Sequence, residues 1–161
     1  MKKELQELLY QNHHQIFVQK DKPMSLTCMC WGIDTKDGWY NIIDTLCSQI
    51  QWHMRQKADI TQVEATQVKE KYGSLRFYYI GGDDYIRGLV DMAEAMSRKT
   101  CEHCGAPGKQ RGAGWIITVC DPCNNKITSS HLNSHLDKAL KSEDIKDFEE
   151  VIDLHKTHGG D

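Results

Sequence analysis

No run of about 18 apolar residues occurs in the chain, so the sequence offers no ordinary membrane-spanning helix. Its opening, Met1-Lys2-Lys3-Glu4-Leu5, passes into acids and amides without the apolar core of a secretory signal. Basic charge is not in surplus: the formal net charge is -3, which argues against a generally basic nucleic-acid binder. A Gly-rich phosphate loop, a G-x-S-x-G elbow and a Rossmann fingerprint are all missing. No assembled catalytic constellation therefore supports an enzyme, and the sequence reads as a non-catalytic binding protein. Internal repeats and low-complexity segments are absent too. What remains is 161 residues with 39% hydrophobic content, enough for one domain or one domain with a small appendage.

Cysteine is where the information lies. Cys101 and Cys104 form one C-x-x-C, Cys120 and Cys123 a second, and residues 105–119 separate them. Two such pairs at this separation predict one zinc ion in a tetrahedron of thiolates. Four thiolates leave no coordination position for water or substrate, so the expected role is structural. Three cysteines are left over: Cys28, Cys30 and Cys47. An odd remainder fits a reducing compartment, and the expectation is a cytoplasmic protein. Cys28 with Cys30, or His131 with His135 at i, i+4, are weaker candidates for a second metal.

The pattern along the chain predicts an α+β domain. Leu5, Leu8, Leu9, Ile16 and Phe17 suggest a helix over 3–18, broken by Lys20-Asp21-Lys22-Pro23. Asp37 is placed to cap a helix over 38–56 that buries Trp39, Ile42, Ile43, Leu46 and Ile50. Residues 60–80 are rich in β formers around a turn at Tyr72-Gly73-Ser74, predicting a hairpin extended at most by a third strand into a small antiparallel sheet. Asp83 or Asp84 caps a helix to Ser97. A knuckle at Cys101–Gly105, a strand at 115–119 and a helix over 124–140 follow the order of a treble-clef finger. The expected organisation is a core at 1–98, a treble-clef-like finger at 99–136 packed on it, and a helical tail at 137–161. That tail holds eight acids against four lysines.

Three groups of side chains are candidates for binding. The hairpin cations Lys69, Lys71 and Arg76 surround Tyr72, a mixture that can hold a phosphate and stack a base; a solvated hairpin face is the competing account. Trp31 and Trp39 flank a loop with Asp34 and Asp37, lining a pocket or closing a core edge. Lys109, Arg111 and Lys126 form a local basic patch on the finger, the basis of an alternative nucleic-acid-binding reading. The acidic tail favours a protein partner, and the oligomeric state is open.

Two resemblances extend this reading. The stretch Val119-Cys120-Asp121-Pro122-Cys123-Asn124-Asn125-Lys126 resembles the closing pair of zinc-containing HNH nucleases, and its spacing also resembles GATA-type fingers. Residues 105–119 contain no histidine, so the catalytic stretch of the nuclease family is missing and a degenerate nuclease is the weakest alternative. A longer series comprises Asp37-Gly38-Trp39, residues 67–78 (QVKEKYGSLRFY), Ala93-Glu94, Ser97, Thr100-Cys101-Glu102-His103-Cys104-Gly105-Ala106-Pro107-Gly108, Trp115 and Cys120-Asp121. Across residues 37–123 it resembles an uncharacterised family of small phage and prophage proteins. That resemblance implies a mobile-element origin, a place in the host cytoplasm and an accessory, anti-defence type of role. The partner would be a host protein to be blocked or a nucleotide-like signal to be sequestered.

Overall fold

The computed structural model describes residues 1–57 and 59–130. Over these the chain is α+β. Helix α1 (Lys3–Asn12) leads through short 3-10 turns to strand β1 (Ile33–Asp34) and helix α2 (Tyr40–Gln56). Strands β2 (Glu64–Lys71) and β3 (Ser74–Ile80) form the hairpin, helix α3 (Asp84–Ser97) follows, and strands β4 (Lys109–Arg111) and β5 (Ile117–Val119) pair beyond it. Residues Met1–Cys123 make one compact unit, which holds all four cysteines of the two pairs. Residues Asn124–Asp161 make a second. Residues 121–130 are helical; the rest of the helix expected over 124–140, the acidic tail, and His131 with His135 lie outside the described residues.

The hairpin forms because its turn chemistry and its strand pattern agree. Lys71 pairs with Ser74, leaving Tyr72 and Gly73 as a two-residue loop. Both have positive φ (53° and 71°), as a type I′ turn requires. Val68, Leu75 and Phe77 are buried against the core, while Lys71 and Tyr78 face outward. The third strand is β1, and it runs parallel to β2, with Ile33 opposite Val68. This corrects the all-antiparallel expectation: β1 and β2 are joined not by a hairpin but by a long crossover that contains α2, and such a connection can return the chain in the same direction.

Helix α3 covers the free edge of β3. The Ser97 hydroxyl accepts from Leu75 N at 2.8 Å, and Glu94 accepts from Phe77 N at 3.2 Å. Donors that would otherwise template another strand are thereby satisfied. Of the two capping candidates, Asp83 and Asp84, it is Asp83 that caps the helix, accepting from Ile86 N at 3.0 Å. The hydrophobic core gathers Ile43 and Ile50 of α2, Val63, Val68, Leu75 and Phe77 of the sheet region, Ile86 and Val90 of α3, and Leu9, Ile16 and Phe17. Each fully buried aliphatic side chain stabilises the fold by about 1.5–3 kcal/mol.

Two local expectations change. The first helix stops at Asn12 instead of running to 18, because His13 turns inward. Its ring is buried, with one nitrogen 2.7 Å from Asp44 Oδ1 and the other 3.1 Å from Gln51 Oε1. Asp37 does not cap α2. Its carboxylate accepts from Lys2 N at 2.8 Å, and α2 begins only after a 3-10 turn at Asp37–Trp39. No helix among the described residues is long and apolar enough to cross a membrane.

Candidate metal centre and the surfaces around it

The sulfurs of Cys101, Cys104, Cys120 and Cys123 lie within 4.8 Å of one another. Those of Cys104 and Cys120 are 3.6 Å apart. A tetrahedral zinc with bonds of about 2.3 Å sets its sulfurs roughly 3.8 Å apart. A disulfide needs about 2.05 Å, so these are thiols gathered around a point. They form the one group of three or more potential metal ligands among the described residues. Cys28 is exposed, and the Cys30 thiol donates to Thr27 O instead.

Local backbone explains why the sulfurs converge. Gly105 takes φ 78°, and its N–H returns to Cys101 O at 2.9 Å, closing the first knuckle. Strands β4 and β5 then carry the chain out and back, so that Val119 precedes the second pair opposite Lys109. Burial raises the Cys101 thiol, but N–H groups of Cys120, Cys104 and His103 aimed at its sulfur bring it down to about 7. Hydrogen bonding from Cys120, together with desolvation, pushes Cys123 up to about 12. Without a cation, four clustered sulfurs cannot all carry charge; a divalent metal removes that conflict.

The knuckle is locked to the rest of the unit by hydrogen bonds. Gly38 N donates to Glu102 O at 2.7 Å, and Lys36 N donates to the buried Glu102 carboxylate at 3.0 Å. Burial pushes that carboxyl above its ordinary range. Trp39 Nε1 donates to Thr100 O at 2.8 Å. The approach is tight: a Cβ on Gly38 would stand 2.2 Å from Cys101 O. On the other side the β4–β5 pair grips the hairpin tip. Gln110 Nε2 donates to Tyr72 O at 3.0 Å, and the Thr118 hydroxyl donates to Gly73 O.

The candidate binding residues are distributed unevenly. Trp39 is 0% exposed and closes the core, which removes it as a pocket residue. Trp31 is 71% exposed and lines a separate, polar cleft with Gln6, Asp34 and Gln67. Arg76 does not join the hairpin cations as a free group: its guanidinium is 3.1 Å from the Glu94 carboxylate. Lys69, Lys71 and Tyr72 do come together, in a cleft closed by Gly114, Trp115 and Ile116 of the loop between β4 and β5. Lys109 and Arg111 both stand against Asp121, so the basic patch expected on the finger is partly neutralised. Lys126 is exposed on the helical residues that follow.

Sequence reasoning did not find Gly38 and Glu102 as a docking pair, nor Trp115 as part of a cleft. A signal for Trp115 existed, since a tryptophan next to Gly112-Ala113-Gly114 belongs to a loop tip. The expected strand at 115–119 in fact starts at Ile117. Compared with known families, curated proteins and solved structures, the chain matches none of them.

Proposed function

We propose that this is a non-catalytic binding protein whose fold is completed by one structural zinc ion, in a treble-clef-like finger. The observation that carries the reading is the closed four-sulfur cluster, tied by backbone hydrogen bonds to the 36–39 turn and the hairpin tip. All four coordination positions go to the protein, so the ion would act as a cross-link rather than as a Lewis acid. What the cross-link fixes is a surface: the hairpin tip and the loop beside it.

The resemblance over residues 37–123 supports a phage or prophage accessory role in a host cytoplasm. The surface would then meet a host protein or a nucleotide-like ligand. The alternative of a nucleic-acid-binding zinc finger that uses Lys109, Arg111 and Lys126 is weakened by Asp121, which sits against both Lys109 and Arg111. Native mass spectrometry of freshly purified protein tests the reading. One zinc per chain is expected, with the ion lost on chelation; a folded, active-surface protein that contains no zinc would refute it.

A further inference from the structure

The cleft between the hairpin tip and the β4–β5 loop is more specific than a solvated face requires. Its volume is about 240 Å³. Sites that enclose a whole small molecule start at about 300 Å³, so this one suits a single flat ring with the rest of the ligand outside. Tyr72 and Trp115 both line it, and they are 66% and 80% exposed. Neither ring is there to fill the core. Tyr72 also occupies a backbone position with φ 53°, where asparagine or glycine is the unstrained choice. A bulky residue kept in such a conformation, with its ring left in solvent, points to a use for the ring.

Charge adds direction. Lys69 and Lys71 are two apart on β2 and therefore share a face of the strand. The Lys71 ammonium lies 5.5 Å from the centre of the Tyr72 ring. Glu70 is the cleft's acid, and its carboxylate already accepts from Gly73 N at 2.6 Å. The lining thus offers two aromatic faces and a surplus of positive charge at the rim. Gln110 and Thr118 hold the turn to the finger, so the two aromatic walls are built on elements joined to each other.

We propose that this cleft binds one nucleotide unit, its base against Tyr72 and Trp115 and its phosphate at Lys69 and Lys71. The proposal rests on the binding-protein reading above and names its ligand class. The nucleotide can be free or part of a single strand; a paired duplex hides its base faces and does not fit.

The test uses the full-length, zinc-loaded protein and fluorescence anisotropy of a short labelled DNA single strand. Unlabelled adenosine monophosphate and the matching duplex serve as competitors. Tyr72→Asn keeps the left-handed turn while removing the ring, and Trp115→Ala removes the other wall. Each is expected to weaken binding about tenfold, with zinc content and melting temperature unchanged. Two lysine contacts predict a slope of about -1.4 for log affinity against log salt on a single strand. Lys69→Gln with Lys71→Gln flattens that slope. Displacement of the strand by the mononucleotide at matching concentrations assigns the site to free nucleotides, and strand binding that the mononucleotide does not displace assigns it to polymer; both support the cleft, whereas displacement by the duplex as effective as by the mononucleotide overturns it. Absence of binding to either probe overturns the proposal, as does binding that both ring variants leave intact. A zinc-loaded protein that fails to bind overturns this inference alone, whereas a protein without zinc overturns the reading beneath it.

Discussion

The helical side and the cysteine side of the Met1–Cys123 unit are held by different physics. The hydrophobic core runs from Leu9 to Ala93 and includes no residue of the cysteine side. Cys101, Val119 and Cys120 are buried, yet they lie outside that core. The cysteine side is attached by directed hydrogen bonds: Gly38 N and Lys36 N donate to Glu102, Trp39 Nε1 donates to Thr100 O, and Gln110 and Thr118 donate to the hairpin tip. Apolar burial needs no cofactor and tolerates some misfit. A segment joined by hydrogen bonds at fixed positions needs its own backbone fixed first, and four converging thiolates around a cation can do that.

Substitution can separate the two sides. The largest effect is expected for Cys101→Ser or Cys120→Ser. Structural zinc sites contribute about 10–16 kcal/mol of apparent binding energy in finger peptides. Either variant should lose the ion and the order of residues 99–123, read as zero zinc by mass spectrometry and lost amide dispersion there. Helical circular dichroism from α2 and α3 should persist. Next comes Ile43→Ala, which empties a fully buried site in the core and should cost about 3–4 kcal/mol in denaturant unfolding. Its zinc content should stay at one per chain, because no ligand contact is touched.

Gly38→Ala is the substitution that probes the seam. The added methyl meets Cys101 O at 2.2 Å and backbone N–H groups of Gly105 and Cys104 at 2.5 and 2.7 Å. All three are main-chain atoms, so relief requires moving the knuckle. We expect a loss of about 3 kcal/mol, at the upper end for overpacking, together with faster zinc release to a chelator. Unchanged release would mean that the seam and the metal are independent.

The smallest effect concerns pH on the helical side. Hydrogen bonds from His53 and then from Ile86 N hold the Asp83 carboxyl below its ordinary value of 3.8. A carboxyl depressed in the folded state gives its full stabilisation above the unfolded value and loses it as pH falls through the folded one. The contribution of Asp83 should therefore fade below about pH 4. Asp83→Asn keeps the cap but removes the titration, and thermal melts should show a shallower acid limb for the variant. An identical acid limb would assign the loss to other carboxylates.

What was legible in the sequence follows the same division. Periodic apolar residues announced α2, an aspartate cap announced α3, and the Tyr72-Gly73 turn announced the hairpin, because these signals are local. Cysteine spacing announced the cluster, since two residues between ligands suffice to aim both at one point. Long-range contacts were not legible. His13 ends α1 by reaching Asp44, 31 positions away, and no local pattern encodes that. Nothing local marks the role of Gly38, because its reason is a knuckle more than 60 residues later. Arg76 looked like a free cation until α3 brought Glu94 beside it. The cleft joined Lys69 and Lys71 to Trp115 only when the loop between β4 and β5 came beside the hairpin tip.

The most direct test of the account is amide hydrogen exchange with and without a zinc chelator, with metal content measured on the same sample. The account predicts one zinc per chain. On chelation, protection should collapse at 36–39, at the hairpin tip and through 101–119, while Ile43 to Ile50 of α2 and Ile86 to Ala93 of α3 keep theirs. Metal-free protein with the same protection throughout, or a chelator that leaves the cysteine side as protected as before, would contradict it.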